Sequence, residues 1–217
     1  MAVRADFPLE QDVKQYLFAE YGRTLMLAPG DGDDPDALFE RVCAEFENTK
    51  IEQDEEGNVY IMAPVGAESS DQNAELTMQL RTWAKQDGRG RAFGPDAEFI
   101  FPNRSTRGPD AAWVGNEKLA ALPRSERRKF ARIIPDFVVE LKSPSDRISK
   151  LNQKMLEYRR NGVELGWLID PDQRTVWLYR TGDEAPEAFN GDSLAADGPV
   201  AGFVLDLKPI WQGLDLP

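Results

Sequence analysis

The sequence predicts a mixed α/β fold in which a central β-sheet is flanked by α-helices, with an N-terminal helical and hairpin extension. Three observations lead there. The run Asp136-Phe137-Val138-Val139-Glu140-Leu141-Lys142 is a clear strand, opened by Pro135 and closed by Pro144. A helical stripe follows it at Ile148, Leu151, Met155 and Tyr158, and a second apolar run at 165–170 completes a strand–helix–strand unit. Upstream of that unit, helical spacings give way to a series of short apolar strands.

The elements can be justified in chain order. Residues 9–21 read as a short helix, with Pro8 tolerated in its first turn. The stretch Asp31-Gly32-Asp33-Asp34-Pro35 is a loop, after which Leu38, Val42 and Phe46 set a helix over 36–47. Strands at 49–53 and 58–62 are joined across Glu55-Glu56-Gly57-Asn58 as a hairpin. Ser69 or Ser70 can cap a long helix to about residue 86, carrying Leu76, Leu80, Trp83 and Ala84 on one side. Short strands are expected at 92–93, 97–101 and 111–114, and short helical pieces at 116–122 and 125–130, split by Pro123. After the strand at 137–142, Asp146 is placed to cap a helix ending at Gly162. Strands at 165–170 and 175–180 flank a Pro171-Asp172 turn, and the rest reads as loop until a last strand at 203–207. No repeat or long linker divides the chain, so one domain over 1–217 is expected.

Composition narrows the chemistry. The 217 residues include no histidine and one cysteine, Cys43. That excludes Ser-His-Asp and Cys-His nucleophile systems, imidazole metal ligation and an intramolecular disulfide. Catalysis must then use carboxylates, Lys, Arg, Tyr, Ser or backbone amides. A carboxylate site favours a hard cation such as Mg²⁺ or Mn²⁺. The absence of long apolar runs argues against a membrane span, and the Met1 end has no signal-peptide core. With a single thiol, this predicts a cytoplasmic protein. The formal net charge is -12, but it is unevenly spread: -13 over 1–80, +8 over 81–160 and -7 over 161–217. The basic middle is either an unevenly charged solvated surface or a face for a polyanion.

The chemistry-bearing residues lie in that middle. Along the strand, Val138, Glu140 and Lys142 share one face. A Glu-x-Lys triplet is also what a solvent-side ion pair looks like. Asp110, at the start of another short apolar strand, changes the reading, because two adjacent strands can set it beside Glu140 and Lys142. The carboxylates would hold Mg²⁺, and Lys142 would orient a water or neutralise charge developing on phosphorus. Glu75, on the long helix, is either a further metal ligand or a solvated helix charge. Lys154 and Tyr158 share a helix face. They are either supports for the site, or a core tyrosine with a lysine beside it.

The segments Gly108-Pro109-Asp110-Ala111-Ala112-Trp113-Val114, Pro135-Asp136-Phe137-Val138-Val139-Glu140-Leu141-Lys142-Ser143-Pro144-Ser145-Asp146 and Glu164-Leu165-Gly166-Trp167-Leu168-Ile169-Asp170-Pro171 resemble the Uma family of putative restriction endonucleases, within the PD-(D/E)xK nuclease superfamily. The stretch Asn73-Ala74-Glu75-Leu76 with Trp83-Ala84 is similar to that family's N-terminal helix. The likeness covers about residues 55–182 and leaves 1–50 and 185–217 without an assigned role. It implies a restriction-endonuclease-like core, with Asp110 and Glu140 as metal ligands and Lys142 as the catalytic lysine. Glu75 matches the superfamily's helix carboxylate, and Lys154 and Tyr158 its supporting helix residues.

The expectation is a metal-dependent DNA endonuclease acting as a homodimer, since one site per chain cuts one strand at a time. Arg81, Lys85, Arg89, Arg91, Arg104, Arg107, Arg147 and Lys150 are candidate DNA-phosphate contacts. The alternative is a catalytically inactive nucleic-acid-binding or protein-interaction module that keeps the fold. A structural partner protein using its five tryptophans is a third possibility.

Overall fold

The computed structural model describes residues 2–4, 24–30, 32–46 and 49–215. The helix expected over 9–21 lies outside the described residues. In chain order the N-terminal part gives β1 (Ala2–Arg4), β2 (Leu25–Ala28), α1 (Pro35–Glu45), β3 (Ile51–Gln53) and β4 (Val59–Ile61). Next come the long α2 (Ala67–Asp87), β5 (Gly90–Phe93), β6 (Phe99–Ile100), β7 (Thr106–Arg107), β8 (Ala111–Gly115) and α3 (Asn116–Ala121). The strand–helix–strand unit is β9 (Phe137–Leu141), α4 (Ile148–Arg160) and β10 (Leu165–Asp170), followed by β11 (Thr175–Arg180). The chain ends with β12 (Glu187–Phe189), β13 (Ser193–Ala195), β14 (Val204–Asp206) and α5 (Lys208–Gln212).

These elements form a mixed α/β architecture with a central mixed sheet in the order β12-β11-β10-β9-β8-β5. Strand β9 is its middle: it runs parallel to β10 and antiparallel to β8. All five of its residues are buried, as expected for a strand covered by helices on both faces. Phe137, Val139 and Leu141 join the core under α2, whereas Val138 packs with Met155 and Tyr158 of α4. The period-two alternation therefore aims Glu140 at α4.

The predicted hairpin is present as β3 and β4, and it belongs to a larger body. It is part of a second six-stranded sheet, β1-β2-β4-β3-β7-β6, joined through Gln53 opposite Thr106. Helix α1 covers this sheet with Leu38, Phe39 and Val42. Asp34 caps α1 by accepting from the Asp36 amide.

Several local expectations change. Helix α2 begins at Ala67 after Gly66, so neither Ser69 nor Ser70 is its cap. Asp146 does not cap α4; its Oδ2 instead accepts from the Ser143 amide at 2.9 Å and hydroxyl at 2.7 Å. The expected helical piece at 125–130 is a chain of turns, with Glu126 N donating to Pro123 O and Lys129 N to Glu126 O. The C-terminal stretch read as loop contains β12, β13 and a turn of 3₁₀ helix. No helix among the described residues is long and apolar enough to cross a membrane.

Candidate active site

Strands β8 and β9 place the two candidate carboxylates. Their register pairs Ala111 with Val139, so Asp110 and Glu140 are the next pair along. Asp110 Oδ2 accepts from the Leu141 amide at 2.8 Å, which fixes it against β9. Both residues line a cleft of about 2800 Å³, bounded by the second sheet, α2, α4 and the 143–147 loop.

Helix α4 supplies the other wall. Lys154 and Tyr158 lie one turn apart on the face toward β9. Tyr158 donates its hydroxyl to Glu140 Oε1 at 2.7 Å, and Lys154 Nζ lies 2.9 Å from the same oxygen. Tyr158 is thus a core residue and a partner of the site at once. Lys154 is not a snorkelling surface lysine, because it also reaches Glu52 Oε1 at 2.8 Å.

Glu52, on β3, is a residue that sequence reasoning missed. It is 1% exposed. Besides Lys154 it accepts from the Gly108 amide at 3.0 Å, and Arg107 Nη1 approaches its Oε2 at 3.4 Å. Arg107 also grips Glu157 through Nε at 3.2 Å and through Nη2. Gly108 is tight here: a Cβ would lie 2.9 Å from Lys50 Cε. Lys50 passes that point to reach Asp110 Oδ1 at 3.7 Å. Two residues before Asp110, the backbone is therefore held to β3. No sequence signal marks Glu52, because a single Glu in a three-residue strand has no visible partner.

The charges in this cluster are unequally compensated. Burial alone would raise the Glu52 carboxyl, but Lys154, Arg107 and Lys50 outweigh it and hold it down at about 2. Glu140 shares one ammonium with Glu52 and has Asp110 nearby. Burial, opposed by Lys154 but aided by Asp110 and Glu52, pushes it up to about 7. Burial would lower the Lys154 ammonium, yet Glu140 and Glu52 together raise it above the ordinary lysine range. Burial and Glu140 raise the Tyr158 hydroxyl, so it stays a donor.

The remaining candidates divide by position. Lys142 follows the end of β9, and its Nζ turns to Asp172 Oδ2 at 2.7 Å and Asp170 Oδ1 at 3.6 Å. It is not among the residues that line the cleft with Asp110 and Glu140. The face shared by Glu140 and Lys142 in an ideal strand ends with the strand itself at Leu141. Glu75 lies on the flank of α2 that meets β14. It accepts from Gln79, which bonds the Asp206 backbone, while Asn73 and Thr77 face the cleft. Among the candidate phosphate contacts, Arg81, Arg147 and Lys150 line the cleft. Arg107 lines it too but is 8% exposed and held by Glu52 and Glu157. Arg104 pairs with Asp36 at 2.6 Å, Arg89 pairs with Asp87 at 2.8 Å, and Lys85 and Arg91 are exposed beyond the cleft.

Among the described residues, no group of three or more Asp, Glu, Cys or His side chains forms a ready metal site. Asp110 and Glu140 nevertheless suit a hard divalent cation in kind, being carboxylate oxygens on adjoining strands at a cleft. Glu140 takes both of its side-chain partners on Oε1.

Comparison with known proteins bears on the family and the fold. A family model described as Uma2, "putative restriction endonuclease", matches residues 36–208. A crystal structure of a putative nuclease belonging to DUF820 from Anabaena variabilis is 26% identical, with a TM-score of 0.61 over 75% of this chain and 89% of that one. A search of curated proteins gives no match.

Proposed function

Because the chain belongs to the Uma2 family of putative restriction endonucleases, we propose that it is a Mg²⁺- or Mn²⁺-dependent DNA endonuclease whose site is built on Asp110 and Glu140. The observation that carries this reading is the pairing of those two carboxylates on β8 and β9 at the wall of the large cleft. Asp110 and Glu140 would hold the cation, which when bound polarises a phosphoryl oxygen and acidifies a water.

The chain's own groups prepare that site. The Leu141 amide fixes Asp110, and the Tyr158 hydroxyl fixes Glu140. Lys154 neutralises part of the charge that two buried carboxylates would otherwise accumulate. Arg81, Arg147 and Lys150 would meet phosphates along the cleft and position the duplex without reading its sequence. Lys142 would assist the attacking water after leaving Asp172, a partner whose side chain is 65% exposed and whose hold on it is weak. A twofold pair of chains would bring one site to each strand.

One observation favours a second reading, an inactive nucleic-acid-binding module: the Lys142 ammonium is held by Asp172 and Asp170 instead of facing Glu140. Cleavage of supercoiled plasmid with Mg²⁺ or Mn²⁺ separates the two. The endonuclease reading expects nicking by the wild type and none by Glu140→Ala. Equal background cleavage from wild type, Glu140→Ala and Lys142→Ala would sink it.

A further inference from the structure

The segment between α3 and β9 carries the densest cluster of uncompensated positive charge in the described chain. Arg124, Arg127, Arg128, Lys129 and Arg132 fall within nine residues that contain one carboxylate, Glu126. All five cations are exposed. Among the described residues, none of them has a carboxylate oxygen within ion-pairing distance, whereas Arg89, Arg104, Arg107, Lys118, Lys154, Arg160 and Arg180 all do. In a chain of net charge -12, five neighbouring cations without carboxylate partners are a marked local concentration of positive charge.

The segment is held in place at its far end. Ala131 N donates to Glu98 O at 3.1 Å, and Ile100 N to Ala131 O at 2.9 Å, so the turns are tied to β6. The Phe130 ring, 39% exposed, lies 6.0 Å from that of Phe39 on α1. Beneath the turns is a cavity of about 530 Å³ with Phe93 and Phe99 in its wall and Arg127, Arg128 and Lys129 among the residues around it. Asp96 lines both this cavity and the large cleft, so the basic turns lie across the 94–97 turn from Asp110 and Glu140.

We infer that the 124–132 turns are a second contact surface for the phosphate backbone of a nucleic-acid duplex, outside the catalytic cleft. Its place as an extension of the substrate footprint rests on the endonuclease reading above. A duplex carries one negative charge per about 1.7 Å of axis, so a duplex that enters the cleft presents phosphates well beyond it. Cations already concentrated and held at the rim relieve their own repulsion by replacing counterions there.

The test measures binding of a short fluorescent duplex, without added metal, across a salt series. It compares wild type with Arg127→Ala/Arg128→Ala/Lys129→Ala and with a control, Arg174→Ala/Lys208→Ala, that removes exposed cations elsewhere. The triple variant is expected to bind more weakly at low salt, with a log–log salt slope shallower by about one unit for each phosphate it no longer neutralises. The control is expected to keep the wild-type slope. An unchanged slope in the triple variant, or an equal loss in the control, overturns the surface and leaves the cleavage reading standing. A shallower slope in a protein that cleaves no plasmid with Mg²⁺ or Mn²⁺ keeps the surface and overturns the endonuclease reading. A wild type that binds no duplex overturns the surface as well.

Discussion

Lys154 on α4 lies 2.8 Å from Glu52 on β3, and this ion pair ties the helix to the second sheet at the candidate site. The same ammonium is 2.9 Å from Glu140 on β9. One cation thus serves two buried carboxylates from different sheets. The electrostatics of Glu140 therefore depend on a residue 88 positions upstream in the chain.

Removing that cation should be severe. Lys154→Met would leave Glu52 and Glu140 buried beside each other, with Arg107 and Lys50 as the remaining cations that act on Glu52. Breaking a buried pair by deleting one partner costs about 3–5 kcal/mol. Chemical denaturation of Lys154→Met at neutral pH should show a loss of that order. A loss under about 1 kcal/mol, the size of a surface pair, would mean that water screens the cluster.

The two carboxylates should affect acid stability with opposite signs. Glu52 is held down at about 2 in the folded chain, below its ordinary value. Its stabilisation is present above the unfolded value and is lost as pH falls through the window down to about 2. The shift corresponds to roughly 3 kcal/mol. Glu140 is pushed up to about 7, so its ionisation opposes folding as pH rises from the ordinary carboxyl range through about 7. Denaturation midpoints across pH should therefore show Glu52→Gln losing its deficit relative to wild type in acid. Glu140→Gln should gain on wild type as pH rises to neutrality. The reverse order in either variant contradicts this distribution of charge.

Activity should follow the carboxylates and the metal. Chelation is expected to abolish plasmid cleavage, and Mg²⁺ or Mn²⁺ to restore it. Asp110→Asn and Glu140→Gln should each reduce cleavage by about 100-fold or more, the scale of removing a group that stabilises transition-state charge. Glu75→Gln should leave the rate near wild type, because Glu75 faces Gln79 and the β14 flank. A large loss from Glu75→Gln would return it to the metal shell.

The legibility of this site differs residue by residue. Strand β9 and helix α4 are readable because Phe137, Val139 and Leu141 alternate and Ile148, Leu151, Met155 and Tyr158 repeat at helical spacing. Those two elements alone bring Glu140, Lys154 and Tyr158 together. Glu52 and Lys50 are not readable, since β3 is three residues long and its position depends on pairing with β4 and β7. Strand β6 falls within the stretch expected at 97–101, but the two-residue β7 has no periodicity to detect. The helix leaves Glu75 open between a metal ligand and a solvated charge, and the family resemblance alone draws it toward the metal shell. Helix α2 packs chiefly on β5 and β8, and its Glu75 flank meets β14 where the Asp206 amide donates to Gln79, beside β13, which reads as loop in the sequence.

The position of Lys142 yields the sharpest kinetic prediction. Its ammonium rests on Asp172 at 2.7 Å, and burial, which would lower it, is outweighed by Asp172 and Asp170. If Lys142 acts on the attacking water, it must first leave that pair, and Asp172 competes with the reaction. Asp172→Ala removes the nearer competitor at a largely exposed position, at little cost in stability, and leaves Asp170 at 3.6 Å. Cleavage by Asp172→Ala should then equal or exceed wild type, while Lys142→Ala falls by about 100-fold or more. If Lys154 alone supplies the ammonium, both variants should cleave at the wild-type rate. Single-turnover rates on one duplex, measured for both variants at saturating metal, decide between the two lysines.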